Sequence, residues 1–199
     1  MADEEITKAP PLDLSEIGVS GLRVQSGRIL EEQMRQLQGD RALKTYTEMR
    51  DNDAVIASVL LAFEMWVREA GWRTEPATPD RGDEEIAEFV DGCIEDMATG
   101  WEDTIAEALT MLQYGFSFAE IVYKRRLGLG ADPASDYEDA KIGWQKFAYR
   151  TQESRSRWEM DERGGLGGMW QRLPGFAEVL IPIDKAMLFR TSRHKGSPE

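Results

Sequence analysis

The sequence has 199 residues, 41% of them hydrophobic and 9% aromatic, with a formal net charge of −13 and one cysteine. That composition predicts a single globular domain with a real core, and the lack of any long apolar run, with an acidic opening, reads against a membrane span or a signal peptide and predicts a soluble, cytoplasmic chain. The lone Cys93 excludes an intrachain disulfide or a multi-cysteine zinc site, and 26 acidic against 10 basic residues over 1–120 exclude a general nucleic-acid binder, whose affinity comes from clustered Lys and Arg that displace counterions.

Residues 1–39 read as an extended N-terminal arm: Pro10-Pro11, scattered acids and isolated apolar residues show no period. A short helix is expected over Arg28 to Gln38, with Gly39-Asp40 as its stop and the next start. Residues 40–199 are expected to form one α+β domain. Between Asp53 and Glu69, the residues Val55, Ile56, Val59, Leu60, Phe63, Trp66 and Val67 recur at helical spacing, with Asp53 as N-cap. Leu61 and Met65 fall outside this stripe, so the apolar arc is too wide for one buried face. Leu61, Met65 and Trp66 are therefore candidate subunit-interface residues. Gly71 is expected to end the helix, and Trp72 to Pro76 to form a short strand.

Ile86, Phe89, Val90, Cys93, Ile94 and Met97 define an amphipathic helix with Cys93 on its apolar face, a core position more than a nucleophile. Thr99-Gly100-Trp101-Glu102 matches a capping box opening a helix that carries Ile105, Leu109 and Leu112 and exits at Gly115. The pattern then changes to strand, with runs at Phe116 to Lys124, Ile142 to Arg150, around Trp158, at Met169-Trp170, at Val179 to Ile181 and at Met187 to Phe189. Gly164-Gly165 and Pro174-Gly175 supply turns. The fold class is therefore α+β, N-terminal helices followed by a mainly antiparallel β region. The polar end, Arg193 to Glu199, carries no terminal element and reads as a cut from a longer chain.

Catalytic inventories are thin. His194 is the only histidine and sits in the basic tail, which leaves no His-based metal pair and no Ser-His-Asp triad. The cluster Gly164 to Gly168 lacks the Lys-Ser or Lys-Thr of a phosphate loop and reads as a hairpin turn. The carboxylates Asp83, Glu84, Glu85, Glu88, Asp91, Glu95 and Asp96 could hold a metal for hydrolysis, but they alternate with the apolar stripe as a solvated face does. Arg150, Arg155 and Arg157, interleaved with aromatics, are candidates for nucleic-acid contact. With Glu153, Glu159 and Asp161 nearby, cross-strand ion pairs are the commoner use. No cofactor, metal or catalytic residue is expected.

Three segments carry a resemblance. Asp53 to Val67 followed by Gly71-Trp72-Arg73-Thr74-Glu75-Pro76, the helix from Trp101 followed by Tyr114-Gly115-Phe116-Ser117-Phe118-Ala119-Glu120-Ile121-Val122-Tyr123, and Ile181 to Arg190 resemble, in this order, the first part of bacteriophage portal proteins, especially those of Mu-like phages. The resemblance implies the portal wing region, without the stem, clip and crown that follow in family members. It implies a homo-oligomeric ring, a dodecamer in the full-length form, located at the capsid vertex of the virion and assembled in the host bacterial cytoplasm. Implied partners are the terminase large subunit, capsid or scaffold proteins and head-completion proteins, with transient contact to double-stranded DNA and none to a membrane. Two other readings stay open on the residues alone: an adaptor that binds another protein through the 53–69 helix, and a metal-dependent hydrolase using the Asp83 to Asp96 carboxylates.

Overall fold

The computed structural model describes residues 19–30, 32–175, 177–191 and 197–198. The Pro10-Pro11 segment and His194 lie outside the described residues. The expected helix over 28–38 is not formed. Instead β1 (Val24–Gln25) and β2 (Arg28–Ile29) make a tight hairpin, followed by one 3-10 turn at Arg35–Leu37. The reason lies at Ser26 and Gly27, both at positive φ, a conformation that turns the chain back before a helix can nucleate. Gly27 is also needed for space, because its carbonyl accepts the Trp158 amide at 2.8 Å and a Cβ there would lie 2.3 Å from the Trp158 carbonyl.

Four α-helices follow among the described residues: α1 (Asp40–Asn52), α2 (Ala54–Arg68), α3 (Arg81–Glu95) and α4 (Trp101–Leu109), with a one-turn helix α5 (Met111–Tyr114). Asp53 caps α2 as expected, its carboxylate accepting the amides of Val55 at 2.8 Å and Ile56 at 3.2 Å. Asp53→Ala should cost about 1 kcal/mol, the usual worth of an N-cap, read as a lower urea midpoint at unchanged slope. The capping box expected at Thr99 is absent. Gly100 is the N-cap, without a side-chain cap bond, and its carbonyl instead accepts the Thr104 hydroxyl at 3.0 Å. Residues 72–76 form no strand, and no other segment among the described residues pairs with them. Gly115, at φ 84°, closes α5 in the left-handed conformation and returns its amide to Met111.

The β region is antiparallel throughout the described residues. β3 (Phe116–Arg125) is the centre of one sheet, flanked by β4 (Ile142–Arg150) and β8 (Ala186–Arg190). β6 (Leu166–Gln171) is the centre of a second, flanked by β5 (Arg155–Met160) and β7 (Val179–Pro182). All six are the strands expected from the aromatic and β-branched runs. The two sheets share one core of Phe116, Phe118, Trp158, Met169 and Ile181. Trp158 stands edge-on to Phe116 and Phe118 at 5.2 and 6.1 Å, the arrangement that aromatic quadrupoles favour.

The helices are tied to the first sheet. α4 lies against β3, where the Ser117 hydroxyl donates to the Glu107 carbonyl at 3.0 Å. Past the end of α3, the Ala98 amide donates to the Gln145 carbonyl of β4 at 2.8 Å. α2 is carried one step further out, packing on α1 and α4.

Candidate functional site

The feature that stands out from ordinary packing is α2. Side chains advance about 100° per residue around a helix, so Val55, Val59, Phe63 and Trp66 share an arc of about 80°. That arc is uncovered: Val55 is 72% and Trp66 69% exposed, with Val59 and Phe63 about half exposed. Ile56, Leu60 and Val67 lie on the adjoining arc and are half-buried, and no residue of α2 is fully buried. Leu61 and Met65 are also half exposed. The sequence places them outside the buried stripe, but half of the stripe itself is outside as well.

Within Ala54–Arg68 the uncovered face carries no charge, the exposed C-cap Glu69 standing at its end. The charged residues of the helix, Glu64 and Arg68, pair with each other at 3.2 Å on the covered side, and Arg68 reaches Asp103 of α4 at 3.5 Å. Phe63 and Trp66 form an edge-on pair at 5.7 Å. Trp72, half exposed, extends the surface past the helix end. Its indole N–H donates to the Val67 carbonyl at 3.1 Å and its ring stands edge-on to Trp101 at 6.1 Å. A contiguous apolar and aromatic surface without charge marks a binding face when it exceeds the scattered exposure of a normal surface.

The three arginines are engaged within the chain. Arg150 pairs with Glu120 on the neighbouring strand. Arg157 pairs with Glu178 at 2.7 Å and lies over the Trp170 ring at 4.4 Å. Arg155 is buried, its guanidinium 5.5 Å from the Phe116 ring and 5.7 Å from Trp158. The ion-pair partners are Glu120 and Glu178, not the Glu153, Glu159 and Asp161 suggested by proximity in sequence. Glu159 accepts the Trp170 indole at 2.6 Å, and Asp161 accepts the turn amides of Arg163 and Gly165. The Ser156 hydroxyl, then Arg157 and Arg172, hold the Glu178 carboxyl below its ordinary range.

The acidic residues of α3 do not converge. Asp83 accepts from Thr78 at 2.6 Å, Asp91 from Thr74, Glu85 pairs with Arg81 at 2.9 Å and Glu95 accepts from Tyr137 at 3.1 Å. Among the described residues no three of His, Cys, Asp or Glu are placed to hold a metal ion. Asp96 departs from the solvated face altogether. It is buried and accepts the Ser135 hydroxyl at 2.7 Å, the Asp136 amide at 2.9 Å and the Lys124 ammonium at 3.1 Å. Burial pushes its carboxyl up, but these three donors outweigh it and hold the group below the ordinary carboxylate range. Lys124 is equally buried and also donates to the Ala134 carbonyl at 2.9 Å. Beside it Arg126, also buried, lies 3.8 Å from the centre of the Tyr137 ring and pairs with Asp139 at 3.2 Å. Together they fasten the 127–141 loop to the end of α3, next to the buried Cys93. The sequence signal for this network was the inward phase of Lys124 in β3, which the acidic pattern of α3 obscured.

Among the described residues no helix is long and apolar enough to cross a membrane. None of the curated proteins compared with the chain matches it. The family described as the portal protein of Mu bacteriophage matches residues 43–199, a span that holds both three-stranded sheets, helices α2 to α5 and all but the first turn of α1. On that match, the chain belongs to the Mu phage portal protein family.

Proposed function

We propose that the chain is a subunit of a portal ring at the capsid vertex of the virion, where copies assemble around the DNA passage. In this reading the ring, a dodecamer, supports head assembly, docks the terminase large subunit and the head-completion proteins, and lets double-stranded DNA through during packaging and ejection. Family membership gives the structural role in the phage particle. The observation that carries the assembly reading is the apolar face of α2, which the described residues do not cover and which another copy would bury. Trp66, Leu61 and Met65 are accordingly proposed as subunit contacts. The charge of −13 suits a surface past which DNA moves without adhering, because each neutralised phosphate would add to binding and none is sought here.

The test is the mass of the full-length protein by light scattering, with negative-stain images of the same sample. Rings with a central hole are expected. A monomer under assembly-permissive conditions would overturn the ring and favour an adaptor that offers the α2 face to a different protein.

A further inference from the structure

A ring of more than two copies is closed by head-to-tail contacts, in which each copy offers two unlike surfaces, one to each neighbour. If α2 is one of them, the chain must carry a second. Six apolar side chains of α2 exposed to about half or more present on the order of 600 Å², at the top of the roughly 300–600 Å² usual for the largest patch on a monomer. That approaches the roughly 800 Å² per partner of a standard interface. A counterpart of similar character is therefore needed.

The far end of the β3 and β4 pair supplies one. Lys124 and Gly143 are register partners, and with Arg126 they face α3: Lys124 meets Asp96, Arg126 approaches Cys93, and a Cβ on Gly143 would lie 3.4 Å from the Cys93 sulfur. Strand alternation turns their neighbours the opposite way. Tyr123 pairs across with Trp144 and Arg125 with Ile142, so Tyr123 and Ile142 share the outer face with the half-buried Trp144 and the exposed Arg125, and Leu127 follows just past the strand end. Ile142 is 61% exposed, and Tyr123 and Leu127 about half. The competing patch near β7 is less exposed, with Val179 at 49% but Leu180 and Leu173 only 37% and 36%. The hairpin face is also held rigidly from behind by the Asp96, Lys124 and Arg126 network, as a docking surface needs to be.

We infer that the α2 face of one copy packs on the outer β3 and β4 face of the next, the Val55, Val59, Phe63 and Trp66 stripe against Tyr123, Leu127 and Ile142. This rests on the reading of the chain as a ring subunit. It adds which surface meets which, and that the contact is heterologous.

The experiment uses two variants of the full-length protein, Trp66→Glu and Ile142→Glu, each disabling one surface. Both residues are exposed, so circular dichroism and melting temperature should match wild type; Tyr123→Glu replaces Ile142→Glu if they do not. Native mass spectrometry should show each variant alone as a monomer. An equimolar mixture should give a heterodimer, since one intact α2 face and one intact hairpin face remain, and growth should stop there. If Ile142→Glu and Tyr123→Glu still assemble like wild type while Trp66→Glu does not, α2 packs on something else and the inference falls. Persistence of wild-type assemblies in all variants overturns it too. Open head-to-tail chains from wild type, with heterodimers from the mixture, would keep the inference and sink the closed ring. A wild-type monomer that forms no complex would sink both.

Discussion

Lys124→Met should be among the most destabilising single changes in the chain, costing about 3–5 kcal/mol, the range for breaking a buried ion pair from one side. The variant leaves the Asp96 carboxylate enclosed, with the Ser135 hydroxyl and the Asp136 amide but no counter-charge. It also removes the donor to the Ala134 carbonyl. Methionine fills much the same volume, so the loss reports the charge and not a cavity. The pH dependence separates the two. Asp96 is held below its ordinary pKa in the fold, so in wild type its contribution is present above the unfolded value and is lost as pH falls through the folded one. In the variant, protonation relieves an unpaired buried charge, so acid acts the other way. The gap between the two proteins should therefore shrink below about pH 4. Urea midpoints at pH 7 and at pH 3.5 would check this. A gap that stays constant or widens in acid would mean that packing, not the ion pair, holds this corner.

What the sequence made legible follows from which interactions are local. The six strands of the two sheets and the helices α2 and α3 stand where periodicity puts them, because each is bounded by a local stop: Asp53 before α2, Gly115 before β3, Gly164 and Gly175 between the later strands. The errors sit where the deciding partner is distant in sequence. Trp72 to Pro76 has strand composition but, among the described residues, no strand to pair with. Residues 28–38 have helical composition, but Ile29 is drawn onto the core and Gly27 onto Trp158. Arg150 and Arg157 find Glu120 and Glu178, 30 and 21 residues away. The width of the apolar arc on α2 was visible at once, yet periodicity alone could not show which half the chain covers, since burial by α1 and α4 is a tertiary fact.

That arrangement has a functional logic. The sheets form the rigid part, with their own aromatic core, while α2 stands outermost, held through α1 and α4 and covered on one side only. No residue of α2 is fully buried and none belongs to the sheet core, so its exposed side chains can be chosen for association without disturbing that core. The separation lets interface changes be made without unfolding the subunit, and core changes be read without ambiguity from assembly.

Trp158→Ala tests the rigid part. Trp158 is 1% exposed, between Phe116 and Phe118 of one sheet and Met169 and Ile181 of the other, and removing an indole from such a site costs about 3–5 kcal/mol through lost burial and the cavity left behind. For a domain of this size that corresponds to a fall in melting temperature of about 10 °C. The backbone bond from its amide to Gly27 survives the substitution, so the β1 and β2 hairpin should stay in place and the effect should arise from the core alone. Helix and sheet should still melt together, because α5 runs through Gly115 directly into β3, and Gln152 bridges the Thr110 hydroxyl and the Phe116 carbonyl at 2.9 and 3.1 Å. Ellipticity at helical and aromatic wavelengths should thus give one midpoint, lowered equally. Two separate midpoints in the variant would show that the helices form a unit independent of the sheets, and α2 would then be anchored to a base that can let go.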